Sequence, residues 1–528
     1  MVVKGTVKTG AYFDSVTLMI VGRELSAQAG VIDAAVVMGT AENLAILKSS
    51  GLLCPELAKA GDTDLLISVK VKDEKSATAA LAEAESLLKN VRKTSGPESS
   101  YNPKSLEGAL KVLPGANMAM VSVAGRYAGD VAMEALRKGL HVMLFSDNVP
   151  VETEVELKEF ARSKGLLVMG PDCGTAIING VPLAFANAVS RGSIGMVAAA
   201  GTGLQEVSSI ISNEGGGISQ AIGTGGRDVK KEVGGIMLLE GLRALAEDEA
   251  TKVIVLVSKP PHESVLKKLC AAVKSVKKPV VAMFLGADPK SLAGSGMSFA
   301  GTLEEAALAA VALARGKTAE SALRGLQARD EELGETAAEE AARFARGQRF
   351  VRGLFSGGTF CGEAQVIFRD VLREVYSNAP LGSNKALADA WKSQGHTVVD
   401  LGEDAFTVGR PHPMIDFSLR NRRILDEAKD PETAVILLDV VLGFGSNMDP
   451  AGELVPAIAA ARKTAEEAGR HLAFVCSVTG TEKDPQKRSK VESALQAAGA
   501  KVLPSNAAAA RFAGCMAREL EKAAKPVG

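Results

Sequence analysis

The 528-residue chain reads as an α/β protein: a small α+β unit at its start, then units in which strands alternate with helices. Three observations predict this. Runs such as MAMVSVAG (118–125), VIVLVSK (253–259) and AVILLDVVLGFG (434–445) are apolar nearly throughout, as strands buried on both faces of a parallel sheet are. Between them lie stretches whose apolar residues recur near the helical period. Glycine is abundant at 54 residues and aromatics make up only 4%, which suits tight strand-to-helix turns and leaves little for base stacking.

In the first segment VTLMIVG, around residues 17–22, reads as a strand, ELSAQAG as helical and DAAVVMGT as a strand. AENLAILKSS follows as a helix, DLLISVKV as a strand and SATAALAEAESLLKN as a helix. Three strands with three helices predict a ferredoxin-like sandwich over 1–95. TSGPESSYNP (94–103) has linker chemistry.

A βα alternation begins in 105–187. MAMVSVAG, HVMLFSD and LLVMGPDCG are its strands, and YAGDVAMEALRKG and VETEVELKEFARSKG its helices. A second unit, 188–316, runs from SIGMVAAAG through VIVLVSK to VVAMFLG. Residues 317–347 are charged and Ala-rich and read as a solvated helical linker. A third unit, 348–528, has GLFSGGT, HTVVDLG, AVILLDVVLGFG, HLAFVCSVTG and AKVLPS as strands. The second and third units share a theme: strand, Gly-Thr loop, helix.

Composition excludes several functions. Lys plus Arg is 61 and Asp plus Glu 62, a net charge of -1, so no nucleic-acid or membrane partner is expected on electrostatic grounds. Six cysteines and five histidines are scattered without CxxC or HExxH, so neither a disulfide framework nor a metal site is expected. The N-terminus lacks the apolar core of a signal peptide, and no apolar run approaches the roughly 18 residues of a membrane span. The default expectation is a cytoplasmic protein.

Two loops carry the sharpest local chemistry. Gly201-Thr202-Gly203, after Ala199-Ala200, joins a strand to a helix, and so does Ser356-Gly357-Gly358-Thr359, ahead of Phe360 and Cys361. Small residues admit a ligand closely, and the free N–H groups of a helix start favour an anion. Each loop is equally readable as a tight βα turn. Neither is a Walker A or a GxGxxG motif, so P-loop ATP hydrolysis is not expected. Gly225, Gly226, Arg227 and Asp228 offer backbone donors beside a charged pair, or form a plain turn. Asp172, Cys173 and Gly174 end a strand, where Cys173 is either a reactive thiol or a buried one. Lys259 ends a parallel strand, the side on which such sheets bind ligands, which favours a functional role over a surface lysine. Arg410 and His412, in a rigid RPHP loop, are possible anion or proton donors, or packed loop residues.

The order GPDCGTAIING, SIGMVAAAGTG, GTGGRDV, VIVLVSKPPHE resembles the α subunit of succinyl-CoA synthetase. SGGTFCGEA and ILLDVVLGFG resemble the carboxyl-terminal domain of its β subunit. Both in one chain, with LFSGGT and TVGRPHPMID, resemble the FdrA family over nearly the whole length. The resemblance implies a Rossmann-like CoA-binding-type domain at 105–187 and two flavodoxin-like synthetase-type domains after it.

It also exposes departures. Phe299 stands where the synthetase has its phosphorylated histidine, and Lys259 where it has the glutamate that steadies that histidine. The Gly-rich CoA loop and the ATP-grasp domain have no counterpart here, so ATP- and CoA-dependent ligation by this chain alone is not expected, and whether CoA is still bound is left open. The resemblance implies a component of an oxamate carbamoyltransferase assembly in purine (allantoin) nitrogen catabolism. There, oxalurate and phosphate interconvert with oxamate and carbamoyl phosphate. On that reading phosphate or carbamoyl phosphate sits on Gly201–Gly203 and Ser356–Thr359, with Lys259, Arg227 and His412 catalytic. Asp172, Cys173, Gly174, Gly225, Gly226, Asp228, Cys361 and Arg410 then face the small-molecule substrate. Further subunits in a heteromeric complex are expected. The alternatives are an acyl-CoA ligase subunit and a non-catalytic acyl-CoA or nucleotide-sensing scaffold.

Overall fold

The computed structural model describes residues 2–93 (apart from 12, 14, 27, 41, 42, 45, 46, 49 and 62), 103, 105–407 and 411–523. In the N-terminal unit Val2–Lys8, Val31–Met38 and Leu65–Val71 form an antiparallel sheet, with the third strand between the other two. That is the split βαβ wiring of a ferredoxin-like fold. Two details differ from the sequence reading. The run around 17–22 lies in a helix, Ser15–Ser26, because Leu18, Val21 and Leu25 recur at helical spacing and bury one face. The edge strand is VVKGTVK at 2–8, whose weak alternation did not stand out. The helix read at 41–50 falls partly, and the linker at 94–102 wholly, outside the described residues.

Met118–Val121, His141–Leu144 and Val168–Met169 make a small parallel sheet. The next sheet has seven strands. In spatial order these are Ser298–Phe299, Val280–Phe284, Val253–Ser258, Arg191–Ala198, Ile218–Gly223, Thr175–Ile178 and Val181–Ala184. Its last two strands form a hairpin that the sequence reading placed in the preceding unit. Ile177 pairs with Ala221, so the hairpin extends this sheet instead. Its turn is Asn179-Gly180, both at positive φ, the chemistry of a tight hairpin.

The third unit has a wholly parallel seven-stranded sheet. Its order is Lys385–Ala386, Val375–Ser377, His396–Asp400, Phe350–Phe355, Thr433–Val441, Ala473–Thr479 and Ala500–Leu503. Among the described residues no helix is long and apolar enough to cross a membrane.

Five helices matter for the site: α1 (Gly201–Asn213), α2 (Leu303–Ala314), α3 (Ala319–Ala341), α4 (Gly358–Val371) and α5 (Asn506–Ala523). A single apolar core joins the two large units, running from Met196 and Val207 through Leu303 to Phe360, Phe368 and Met516. The stretch expected to be a solvated linker is part of this junction. Its helix α3 buries Ala319, Leu326, Ala337 and Ala341, and its Arg329 forks onto Glu304 of α2 while Asp330 pairs with Arg511 of α5. Four small or apolar residues on one face suffice to dock a helix whose sequence is otherwise charged.

Candidate anion site between two helix starts

The carboxyl ends of the two large sheets face one another, and α1 and α4 start there. Neither helix has a side-chain cap. The Leu204 N–H reaches Ala200 O and the Cys361 N–H reaches Gly357 O. The N–H groups of Gly201, Thr202 and Gly203, and of Gly358, Thr359 and Phe360, precede these first helical bonds and have no intrahelical partner. The two starts touch. A side chain on Gly203 would begin 3.1 Å from Thr359 Cγ2, and one on Gly357 would begin 2.9 Å from Thr202 Cγ2. Glycine at 203 and 357 is what lets two helix starts of like partial charge approach this closely, an arrangement that favours an anion between them.

The second loop is held differently from the sequence expectation. Asp439 accepts the Ser356 N–H (2.8 Å), the Ser356 hydroxyl (2.8 Å) and the Gly357 N–H (2.9 Å). Arg420, wholly buried, pairs with Asp439 at 3.1 Å and donates to its carbonyl oxygen at 2.7 Å. Ser356 and Gly357 therefore shape the loop, and their donors are not left for a phosphate. The donors that remain are those of Gly358, Thr359 and Phe360. Asp439 was legible in principle: it is the one charge in the buried strand TAVILLDVV.

Asp400 closes the site on the α4 side. Its carboxylate accepts the Gly402 N–H at 2.9 Å, and its other oxygen lies 2.6 Å from where a side chain on Gly358 would begin. Burial pushes its pKa up to about 7, with Glu403 and Asp439 adding to the rise and Lys259 opposing it. His412 Nε2 and Asp400 flank Gly402, at 3.0 and 3.1 Å from the position of a Cβ there. Burial lowers His412 to about 4, and its Nδ1 accepts the Met414 N–H, so it stands as a neutral imidazole. Lys259 is exposed at the end of its strand, with no hydrogen bond or ion pair among the described residues.

The loops at 170–175 and 223–228 form the other wall. Gly225 packs on Pro171 O and Gly223 on Cys173 Sγ, while a side chain on Gly174 would begin 3.4 Å from the Phe185 ring. Gly226 stands more open, since a side chain there would begin 4.0 Å from Ala199 O. Asp172, at φ 55°, reaches solvent from deep in the crevice, and burial raises it to about 6, with the nearby carboxylates of Asp147 and Asp404 adding to the rise.

Several expected site residues turn out to be framework. Arg227 pairs with Glu154 at 2.9 Å and donates to Val149 O, so its guanidinium is already engaged. Asp228 binds buried Lys158 and accepts the N–H groups of Met237 and Leu238 at a helix start. Cys173 is buried, with its thiol pushed up to about 11, and Cys361 is buried with its thiol pushed up well above the ordinary value. Neither is a nucleophile in this setting. Arg410 lies outside the described residues. Phe299 is half-buried against the apolar core of its unit.

The fold is a mixed α/β one with parallel sheets, and it carries a CoA-binding-type and a CoA-ligase-type domain. A family described as CoA-ligase matches residues 354–516, one described as CoA binding domain matches 190–286, and one described as AllF, heavy metal-associated domain matches 1–103. The chain is 42% identical to the uncharacterized protein YahF of Escherichia coli over 94% of this chain and 95% of that protein. It is 28% identical to a succinate–CoA ligase (ADP-forming) α subunit of Archaeoglobus fulgidus over 32% of this chain and 58% of that subunit. A likeness to a solved dinucleotide-forming acetyl-coenzyme A synthetase of Ca. Korarchaeum cryptofilum covers 77% of this chain and 83% of that one, at 14% identity and a TM-score of 0.31. The chain belongs to the FdrA family, together with YahF.

Two groups that these descriptions imply can be tested on the residues. Positions 1–103 hold one cysteine, Cys54, and no histidine, too few soft donors for a heavy-metal site. Among the described residues no group of three His, Cys, Asp or Glu is placed to hold a metal ion. For CoA, three phosphates call for several fixed cations. Arg227 and Lys158 are tied to Glu154 and Asp228, whereas Lys259 has no ion pair among the described residues. Of these three cations, Lys259 is the one free to meet a phosphate group.

Proposed function

We propose that the chain is the acyl-phosphate-handling subunit of a synthetase-like transferase, with phosphate bound between the starts of α1 and α4. The observation that carries this is the reciprocal packing of Thr202 on Gly357 and Thr359 on Gly203, which brings two uncapped helix starts together. The free N–H groups and Lys259 hold the phosphate and stabilise the charge that develops on it. A phosphate oxygen attacks the acyl carbon directly, the bond to the leaving group breaks, and the phosphate proton passes to the leaving atom. Phe299 in place of a phosphorylatable histidine supports a direct transfer without a phosphoenzyme.

The finer reading is carbamoyl transfer. Phosphate attacks the terminal carbonyl of oxalurate, the C–N bond breaks, and oxamate leaves with the proton on its nitrogen, giving carbamoyl phosphate. The second reading, an acyl-CoA ligase subunit, is favoured by the CoA-ligase match at 354–516 and the CoA-binding match at 190–286. Both readings assign the chain a place in a heteromeric complex.

The test uses the chain purified with its native partners. Carbamoyl phosphate formed from oxalurate and phosphate, and lost on Thr202→Val with Thr359→Val, supports the carbamoyl reading. A thioester formed from ATP, CoA and a carboxylic acid, without carbamoyl phosphate, supports the ligase reading instead.

A further inference from the structure

One buried residue at the anion site has an oxygen without a protein partner among the described residues. Asp400 is 5% exposed. Its Oδ1 accepts the Gly402 N–H, while Oδ2 has no hydrogen-bond partner among the described residues and faces Gly358, the first residue of α4, at 2.6 Å from its Cβ position. A carboxyl oxygen with no protein partner is free to pair with a ligand at this helix start.

The surroundings do not supply the missing partner. Glu403 in the same loop and Asp439 from Thr433–Val441 repel a charge there, and Lys259 from the end of Val253–Ser258 attracts it. Cys361 on α4 and His412 beside Gly402 are neutral. Resting on the reading that the paired helix starts bind phosphate, we infer that Asp400 shares one proton with the bound oxyanion, so that the site selects protonated oxyanions such as phosphate over fully ionised ones such as sulfate.

The two anions have similar shape and, near neutrality, similar charge. Hydrogen phosphate carries a proton and sulfate does not. An ionised Asp400 accepts the P–O–H of phosphate, and a protonated Asp400 donates to a phosphate oxygen, so one proton lies between them in either case. Sulfate brings no proton and meets an ionised Asp400 as a like charge. A site built to pair with a hydroxyl rejects the analogue that lacks it, because the buried group is then left unpaired.

The experiment is titration calorimetry with inorganic phosphate and with sulfate, on the full chain and on Asp400→Asn, at pH 8 and pH 6. At pH 8 the native chain should prefer phosphate by on the order of 100-fold. The amide of Asp400→Asn donates to either anion, so sulfate should gain and the preference should fall to a few-fold. At pH 6, where Asp400 already holds its proton, the native chain should bind sulfate more tightly than at pH 8 and with little proton uptake, whereas sulfate bound at pH 8 should bring close to one proton with it, read from buffers of different ionisation enthalpy. That arm needs no variant and stands if Asp400→Asn fails to fold. Equal binding of phosphate and sulfate by the native chain at pH 8, or an unchanged preference in Asp400→Asn, overturns the shared proton alone. Binding of neither anion at millimolar concentration overturns the phosphate reading itself.

Discussion

Glu206 and Glu363 are each the sixth residue of their helix, α1 and α4, and each accepts a hydrogen bond from the first N–H of the other unit's closing helix. Glu363 takes the Leu303 N–H of α2 at 2.8 Å, and Glu206 takes the Asn506 N–H of α5 at 3.0 Å. The Asn506 side chain also donates to Glu363 at 2.8 Å, so one residue bridges both carboxylates. The helices whose starts meet at the anion site are thus locked together one turn deeper, by a crossed pair of caps.

This lock makes stability depend on pH. Burial raises Glu363 to about 7, with the neighbouring carboxylates adding to it, and Glu206 is raised in the same direction. The folded chain then keeps a proton that the unfolded chain releases near the ordinary glutamate value. Stability is fully present below that value and is lost as pH rises toward 7. A shift of this size corresponds to at most about 3 kcal/mol. Thermal unfolding followed between pH 5 and pH 8 should show a falling midpoint, and Glu363→Gln should flatten the fall. An identical slope in the variant removes Glu363 from the cause.

The close approach of the two starts can be tested by crowding it. A methyl on Gly203 would lie 3.0 Å from Val257 Cγ1 and 3.1 Å from Thr359 Cγ2. Gly203→Ala should cost about 1–3 kcal/mol in denaturant unfolding, as overpacking does. Thr359→Ser deletes the methyl and keeps the hydroxyl, so adding it should recover part of that loss. Strict additivity of the two changes would mean that the helix starts are not in contact.

Much of this architecture was legible in the residues. Buried strands such as VIVLVS and the two Gly-Thr loops announced themselves by composition, and so did Lys259 at a strand end. What escaped had physical reasons. The helix at Ser15–Ser26 carries Val, Leu and Ile in a run that reads as a strand, and only packing selects the face formed by Leu18, Val21 and Leu25. The caps by Glu206 and Glu363, and the Asp439 clamp on Ser356, join residues far apart in sequence, which no local pattern reports. Arg227 and Asp228 look like site residues in a glycine-rich loop, yet Glu154 and Lys158, about 70 positions earlier, claim them.

The Asp439 clamp makes its own prediction. Asp439→Ala leaves Arg420 buried without its counter-charge and frees three donors at Ser356 and Gly357. Removing one partner of a buried pair costs on the order of 3–5 kcal/mol. Asp439→Asn keeps the shape and one acceptor oxygen, so it should be milder in urea unfolding while still weakening phosphate binding through the displaced loop. Phosphate binding at the native level in Asp439→Asn would mean that the clamp does not position the α4 start.

Thiol chemistry separates framework from surface. Cys173, Cys361 and Cys476 are buried, with thiols pushed up by burial, to about 11 for Cys173 and about 12 for Cys476. Cys270 and Cys515 are only partly covered. Iodoacetamide at pH 8 should label Cys270 and Cys515 first, read by peptide mass spectrometry, and the three buried thiols should react only on unfolding. Rapid labelling of Cys173 in the folded chain would restore it as a reactive group.

Lys259 is the cation the site can spare for a ligand, because it is exposed and has no partner among the described residues to lose. Lys259→Ala should therefore leave the unfolding midpoint nearly unchanged, as surface substitutions do. Phosphate affinity should fall by about tenfold, the loss expected when one charge-assisted hydrogen bond is removed. The same change has a second readout. Lys259 is the charge that holds Asp400 down against burial, so its removal should raise the pH at which Asp400 loses its proton. Sulfate binding, which requires that proton, should then persist to higher pH in Lys259→Ala, although weaker at every pH. A variant that loses affinity without this displacement would place Lys259 on the anion but away from Asp400, and one that shifts the pH response without losing affinity would place it on Asp400 alone.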